Sequence, residues 1–318
     1  MADTLTAVML MPRGSGELTE ALRHLRAQTR REAIQLVLVH TRTSGPVDRE
    51  QFAGLGAAMA VEVDALPTVA SGLMAALPHA TGEIVALVED HVFLDPGWAE
   101  AVLAAHGRPS SAVTPHMVNA NPRSATSWAN FLLAFSEAAG ARPPGPVDAG
   151  PGHNTSYKRA VLEHYGEEMA GLYQSERTFH YRLRHEGHVI LHEPAARLAH
   201  LNISVPREAA RHALLGGVLF GAYRARQMPV VEKLARTVLA PLVPPLRLWR
   251  TARLLAGRWG QVPLTAWAML PALLAMHAAG EAIGYWHLVG GIESRYEHFE
   301  LHRLECLRPD ERALMTGA

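Results

Sequence analysis

The sequence predicts an α/β fold, a mostly parallel sheet flanked by helices, followed after residue 203 by a helical region of different character. Three observations carry this expectation. Apolar runs of strand length alternate with stretches of helical periodicity from residue 5 onward, a polar triplet ends one apolar run at 89–91, and charge and tryptophan content shift beyond 203. At 318 residues the chain is longer than one typical domain, and its 48% apolar and 19% charged content can bury a core and argues against disorder. Thirty basic residues against thirty acidic ones remove the overall basicity of a nucleic-acid binder, so no nucleic-acid partner is expected.

Taken in order, residues 5–11 and 34–39 read as strands, separated by a stretch in which Leu18, Leu22 and Leu25 recur at helical spacing. Ala60–Val63 reads as a third strand, 66–78 as a helix, and Glu83–Val88 as a strand running into Glu89-Asp90-His91. Asp95-Pro96-Gly97-Trp98 gives a turn, Ala99–Ala105 a helix and Ala112–Val118 another strand. Residues 141–152 hold four prolines and three glycines and read as a loop over a site. A helix is expected to carry Tyr157 and Leu162.

In parallel sheets the ligand crevice lies beyond the carboxyl ends of the strands, so Glu89, Asp90 and His91 are placed to meet a ligand. On extended backbone residues 89 and 91 share one side, and Glu and His both ligate divalent ions. The plain alternative is a solvated acidic turn. The single cysteine, Cys306, excludes a multi-cysteine metal site and fits a reducing compartment with a passive thiol. Met1-Ala2-Asp3-Thr4 lacks a basic n-region, which points to a cytoplasmic protein. No P-loop is present and no His-Glu-x-x-His cluster occurs among the 18 histidines, so kinase, ATPase and zinc-hydrolase readings carry little weight.

Several segments, in order over about residues 5–203, resemble the family 2 glycosyltransferases of GT-A fold. The opening strand ends in Met11-Pro12-Arg13, Leu25-Arg26-Ala27-Gln28 ends the first helix, and Glu89-Asp90-His91 with Asp95-Pro96-Gly97-Trp98 resembles the metal-binding DxD signature and its sequel. Gly152-His153-Asn154-Thr155-Ser156-Tyr157-Lys158-Arg159 is similar to a segment lying near donor and acceptor, Ser175-Glu176 to the Glu-Asp helix, and His200-Leu201-Asn202 to a late metal-binding histidine.

The resemblance implies an inverting, metal-dependent transfer of sugar from a nucleotide-sugar donor to a hydroxyl of a glycan or lipid-linked acceptor. Glu176 is then the catalytic base, with Ser175 also suited to cap its helix; Glu89, His91 and His200 are metal ligands, and Pro12, Asp90, Gly152, His153 and Asn154 bind donor or acceptor. Asn154 is otherwise a loop-to-helix cap, and Trp128 and Tyr173 stack on a sugar or pack in the core. Glu-x-His in place of DxD favours Mn²⁺ over Mg²⁺. The family's aspartates at the end of the second strand are missing, and Asp48 and Asp64 are the nearest carboxylates; the alternative is therefore a GT-A-fold protein that binds nucleotide-sugar or membrane without turnover.

The expected domains are 1–203, catalytic, and 204–318, helical and basic. Between Ser204 and Gly260 ten Lys/Arg face two acids, and four of the six tryptophans fall within 249–286. Arg247, Arg250 and Arg253, with the stripe Leu248, Ala252, Leu255 and Trp259, read as a basic amphipathic helix on an anionic membrane surface, placing the protein at the inner face of the cell membrane. Val262–Gly280 lacks charged side chains but holds Pro263 and Pro271, so a re-entrant or interfacial hairpin is expected there.

Overall fold

Leu5–Met11 (β1) is buried at every position, as a strand covered on both faces must be. In the computed structural model, which describes residues 4–140, 142–173, 176–226, 228–287 and 290–317 apart from the side chain of Glu176, β1 is the second-innermost piece of a nine-stranded sheet. It pairs in parallel with Ile34–Thr41 (β2), which pairs with Ala57–Val63 (β3), and on its other side with Ile84–Leu87 (β4). Val92–Leu94 (β5), Ala112–Asn119 (β6), Gly145–Val147 (β7), Ser156–Lys158 (β8) and Ile190–His200 (β9) complete it, in the order β3-β2-β1-β4-β8-β6-β9-β5 with β7 also on β9. The long ladders are parallel. The four antiparallel pairings, β4 with β8, β6 with β8, β5 with β9 and β7 with β9, are two or three residues long.

Two local expectations are corrected. Tyr157 lies on strand β8, not on a helix, because Val85 and Ala112 each pair with it and hold it extended. The 141–152 stretch is not all loop, since Gly145–Val147 pairs with Ile190–His192.

The helices are Thr19–Arg26 (α1), Val69–Ala76 (α2), Trp98–His106 (α3), Ala125–Ala139 (α4), Arg159–Tyr165 (α5), Glu168–Leu172 (α6), Glu176–His185 (α7), Pro206–Ala225 (α8), Val230–Leu239 (α9), Val243–Leu254 (α10), Leu264–Gly284 (α11), Ile292–Leu301 (α12) and Ala313–Thr316 (α13). The leucine periodicity of the first is realised, Leu22 and Leu25 of α1 being buried. Thr68 and Ser71 start α2 as a reciprocal capping box.

Two compact units result: residues 1–120, 142–201 and 310–318, which hold the sheet, and residues 121–141 and 202–309, which are helical. The partition passes within two residues of 203 but moves two segments across a simple cut there. Helix α4 joins the second unit because it packs on α10 and α11, and α13 joins the first because it packs on α1.

In the second unit α8 and α11 lie backbone to backbone. A Cβ on Gly217 or Gly221 would stand 2.1 Å from the His277 carbonyl oxygen or 2.3 Å from that of Glu281, and one on Gly280 or Gly284 would stand 2.2 Å from the carbonyl oxygens of Leu214 and Val218. Helix α11 is continuous over 21 residues with Pro271 inside it, which corrects the hairpin expected at 262–280. By length and composition α11 could also cross a bilayer.

The stripe expected on α10 is corrected as well. Leu255 is buried and lies past the end of the helix, Leu248 and Ala252 are half-buried, and the Arg247 guanidinium donates to the Leu133 carbonyl at 2.8 Å. Cys306 is buried and its thiol is pushed up to about 11 by burial, the passive role expected.

Candidate active site

Three strand pairings bring distant residues to the carboxyl end of β4. Register β5–β9 sets Val92 opposite His200, and the Leu201 N–H donates to the His91 carbonyl at 3.0 Å, so residues 91 and 200 become neighbours. Register β6–β9 sets Asn119 opposite the same histidine. Register β4–β8 sets Ala86 opposite Ser156 and brings 152–155 over the triplet. The triplet itself is a turn closed by the Val92 N–H to the Glu89 carbonyl at 3.2 Å, not the extended backbone expected, because the chain must reverse to lay β5 antiparallel on β9. Residues 89 and 91 still converge.

Glu89, His91 and His200 are all buried, and one ligand atom from each lies within 4.8 Å of the others. His91 Nε2 is 3.7 Å and His200 Nε2 3.5 Å from Glu89 Oε2, with the two rings edge to face at 4.9 Å. Asp90 Oδ1 sits 2.6 Å from His91 Nδ1, which fixes the ring so that Nε2 faces the carboxylate. His153 Nδ1 contacts Glu89 Oε1 at 2.8 Å, and Asn154 Nδ2 donates to Glu89 Oε2 at 2.5 Å. Asn154 Oδ1 also accepts the Glu89 N–H at 3.4 Å.

Asn154 is the one non-glycine residue with positive φ, +64°, among the described residues, a conformation that asparagine tolerates better than most side chains. It is not a helix cap, since α5 begins after Lys158 without a side-chain cap.

Burial alone would push the Glu89 carboxyl up; His91, His153 and His200 around it reverse this and hold it well below the usual carboxylate range. One buried carboxylate and two imidazoles form a donor set that suits a first-row divalent ion. The residues present fit a divalent-ion site.

Other expected residues are more dispersed. Pro12 follows β1, half-buried, next to Met11, whose carbonyl accepts from Ser44 Oγ at 2.7 Å. At the end of β2, where the family's aspartates are missing, Thr41 Oγ1 contacts Thr43 Oγ1 at 2.9 Å and Ser44 Oγ at 2.8 Å. Asp48 is occupied in capping Glu50, and Asp64 is exposed. Gly152 offers its carbonyl to the Tyr173 hydroxyl at 3.2 Å, and Tyr173 is buried with its ring stacked 6.0 Å from His153. Trp128 lies in the helical unit, its indole donating to Pro122.

Glu176 opens α7, but its side chain and Ser175 lie outside the described residues. Four residues on, His180 is fully buried; its Nδ1 accepts the Gly150 N–H at 3.2 Å and its Nε2 contacts the Tyr157 hydroxyl at 2.7 Å. This ties the helix that begins at 176 to the loop that carries His153 and Asn154. Sequence reading missed His180, although its spacing from Glu176 sets the two positions on one helix face.

Residues 65–166, the span that holds the triplet and the Gly-His-Asn segment, match the family model for Glycosyl transferase family 2. Over these residues the chain is similar to the family 2 glycosyltransferases. No curated protein matches it by sequence. Among solved structures, the glycosyltransferase resembles the mannosyltransferase PcManGT from Pyrobaculum calidifontis in complex with GDP-Man and Mn²⁺, with TM-score 0.54, 19% identity, 88% of this chain covered and 87% of that one. That likeness establishes a GT-A-like fold. The S. aureus TarS 1-349 structure with UDP is also similar, at TM-score 0.47 and 12% identity over 87% of this chain and 90% of that one.

Proposed function

We propose that this glycosyltransferase is inverting and metal-dependent, moving a sugar from a nucleotide-sugar to a hydroxyl of a glycan or lipid-linked acceptor. The observation that carries this reading is the buried Glu89, His91 and His200 cluster at the carboxyl end of β4, within or paired to the matched span. These three side chains would hold a divalent ion, Mn²⁺ in preference to Mg²⁺ because imidazole supplies two of the three donors. Such an ion stabilises charge on the departing nucleoside diphosphate.

Asp90 keeps His91 in the ligating tautomer, and His153 and Asn154 hold both oxygens of Glu89 in place. Glu176 takes the acceptor hydroxyl proton as the hydroxyl attacks the face opposite the leaving group, while Pro12 and Gly152 border donor and acceptor. The knot of Thr41, Thr43 and Ser44 hydroxyls at the end of β2 favours a second reading, a protein that binds nucleotide-sugar without turnover. Transfer assays with Mn²⁺ and a donor panel separate the two. Under the catalytic reading Glu176→Gln lowers transfer by roughly 10²- to 10⁴-fold with donor-induced thermal stabilisation unchanged; a variant with normal turnover sinks it.

A further inference from the structure

Large exposed apolar side chains are rare on this protein except in one stretch. Among the described residues fourteen are markedly exposed, and twelve of these lie between Val230 and Trp286, all in the helical unit. Helix α9 has no buried residue among its ten, although half of them are Val or Leu. Its apolar positions continue across the short turn Ala240–Leu242 into α10, so that Val231, Leu234, Val238, Leu242, Leu246 and Trp249 follow one another at steps of three or four residues. Val231 is 78%, Val238 75%, Leu242 63% and Trp249 54% exposed. A protein does not leave such a stripe in water without a partner for it.

The charges beside the stripe say which partner. Over 230–258 the cations are Lys233, Arg236, Arg247, Arg250, Arg253 and Arg258, and the one acid, Glu232, is engaged by Arg236 at 2.7 Å. Arg250 and Arg253 are exposed, the latter stacked over the Trp249 ring at 4.9 Å. We infer that α9 and α10, joined through the helical turn Ala240–Leu242, form one interfacial helical segment that inserts the Val231-to-Trp249 stripe into the headgroup boundary of an anionic bilayer. The cations at its flank then meet lipid phosphates, and Trp249 sits at the depth that indoles prefer. A second copy of the chain is a poorer occupant, because the patch on each copy brings six cations and one acid, Glu232, that Arg236 already engages. The face is not the one the sequence pattern of α10 suggested: Leu255 is buried, and the stripe runs from α9 through the turn into Leu246 and Trp249 of α10.

The test is vesicle co-sedimentation of the full chain with phosphatidylcholine alone and with vesicles enriched in phosphatidylglycerol, at low and high salt. The protein is expected to pellet with anionic vesicles and to be released by salt. The exposed triple substitution Val231→Ser, Val238→Ser and Leu242→Ser lowers the partition coefficient at least about tenfold, and Arg250→Glu with Arg253→Glu abolishes the preference for the anionic lipid. Thermal stabilisation by nucleotide-sugar and Mn²⁺ stays at the parent value in both variants, which keeps this outcome separate from that of the catalytic reading. Equal partitioning of parent and triple variant, or a parent that stays in the supernatant with both vesicles, overturns the inference. So does a stable dimer in solution that the triple variant splits.

Discussion

Asp90 touches His91 Nδ1 at 2.6 Å and thereby decides which ring nitrogen faces Glu89. Replacing it by Asn keeps the shape and removes the charge that raises the basicity of the imidazole. Asp90→Asn should weaken Mn²⁺ binding by about 10- to 100-fold, read by calorimetry, with the melting temperature of the metal-free protein little changed; undiminished affinity would show that the aspartate is a bystander. The meeting of Glu89, His91 and His200 was legible only through the resemblance, because a polar triplet ending an apolar strand reads as readily as a solvated turn, while a late histidine follows in the family's order. The contacts of His153 and Asn154 with Glu89 were not legible, because contacts across 64 or 65 residues of chain leave no periodic trace in the sequence.

At the scale of elements, β1, β2, β4 and β6 were read to within a few residues, since near-continuous burial leaves an apolar run, whereas β9, paired in parallel with β6, was not read as a strand. Elements made by pairing alone were not: β7 and β8 are three residues each and are extended only because β9, β4 and β6 hold them. Helix α11 escaped because two prolines suggested a break, whereas its continuity rests on glycine-mediated packing against α8. Gly221→Ala or Gly280→Ala should therefore destabilise the helical unit by about 1–3 kcal/mol, since the new methyl meets a backbone carbonyl at 2.3 or 2.2 Å with no flexible atom to yield. Gly16→Ala, with nothing within 4 Å of its Cβ position, serves as the near-neutral control in the same thermal melts.

At the scale of the whole molecule, acid should loosen the fold well before its carboxylates titrate. Burial pushes His180 down to about 4 and His106 down to about 3 from an ordinary 6.5, Lys158 adding to the second. A depressed histidine takes up protons more readily unfolded than folded. Its contribution is complete above pH 6.5 and is lost as pH falls to about 4 for His180 and about 3 for His106, so the loss begins above the range in which a free carboxylate titrates. At about pH 5 each histidine costs roughly 2 kcal/mol. Melting temperature should fall steadily between about pH 7 and pH 5, and His106→Gln should flatten the slope; a flat profile in the parent would mean that neither ring is dry.

The division of the chain has a further consequence, in time rather than in space. Residues 121–141 and 202–309 form the helical unit, and 310–318 rejoin the sheet-bearing one, where α13 packs on α1. The helical unit is thus made of two insertions in the sheet-bearing one. A ribosome makes the strands that gather Glu89, His91 and His200 early, yet the unit that holds them is closed only after the entire α8-to-α12 region has emerged. The apolar stripe of α9 is therefore outside the exit tunnel before α13 has been made and can pack on the sheet-bearing unit.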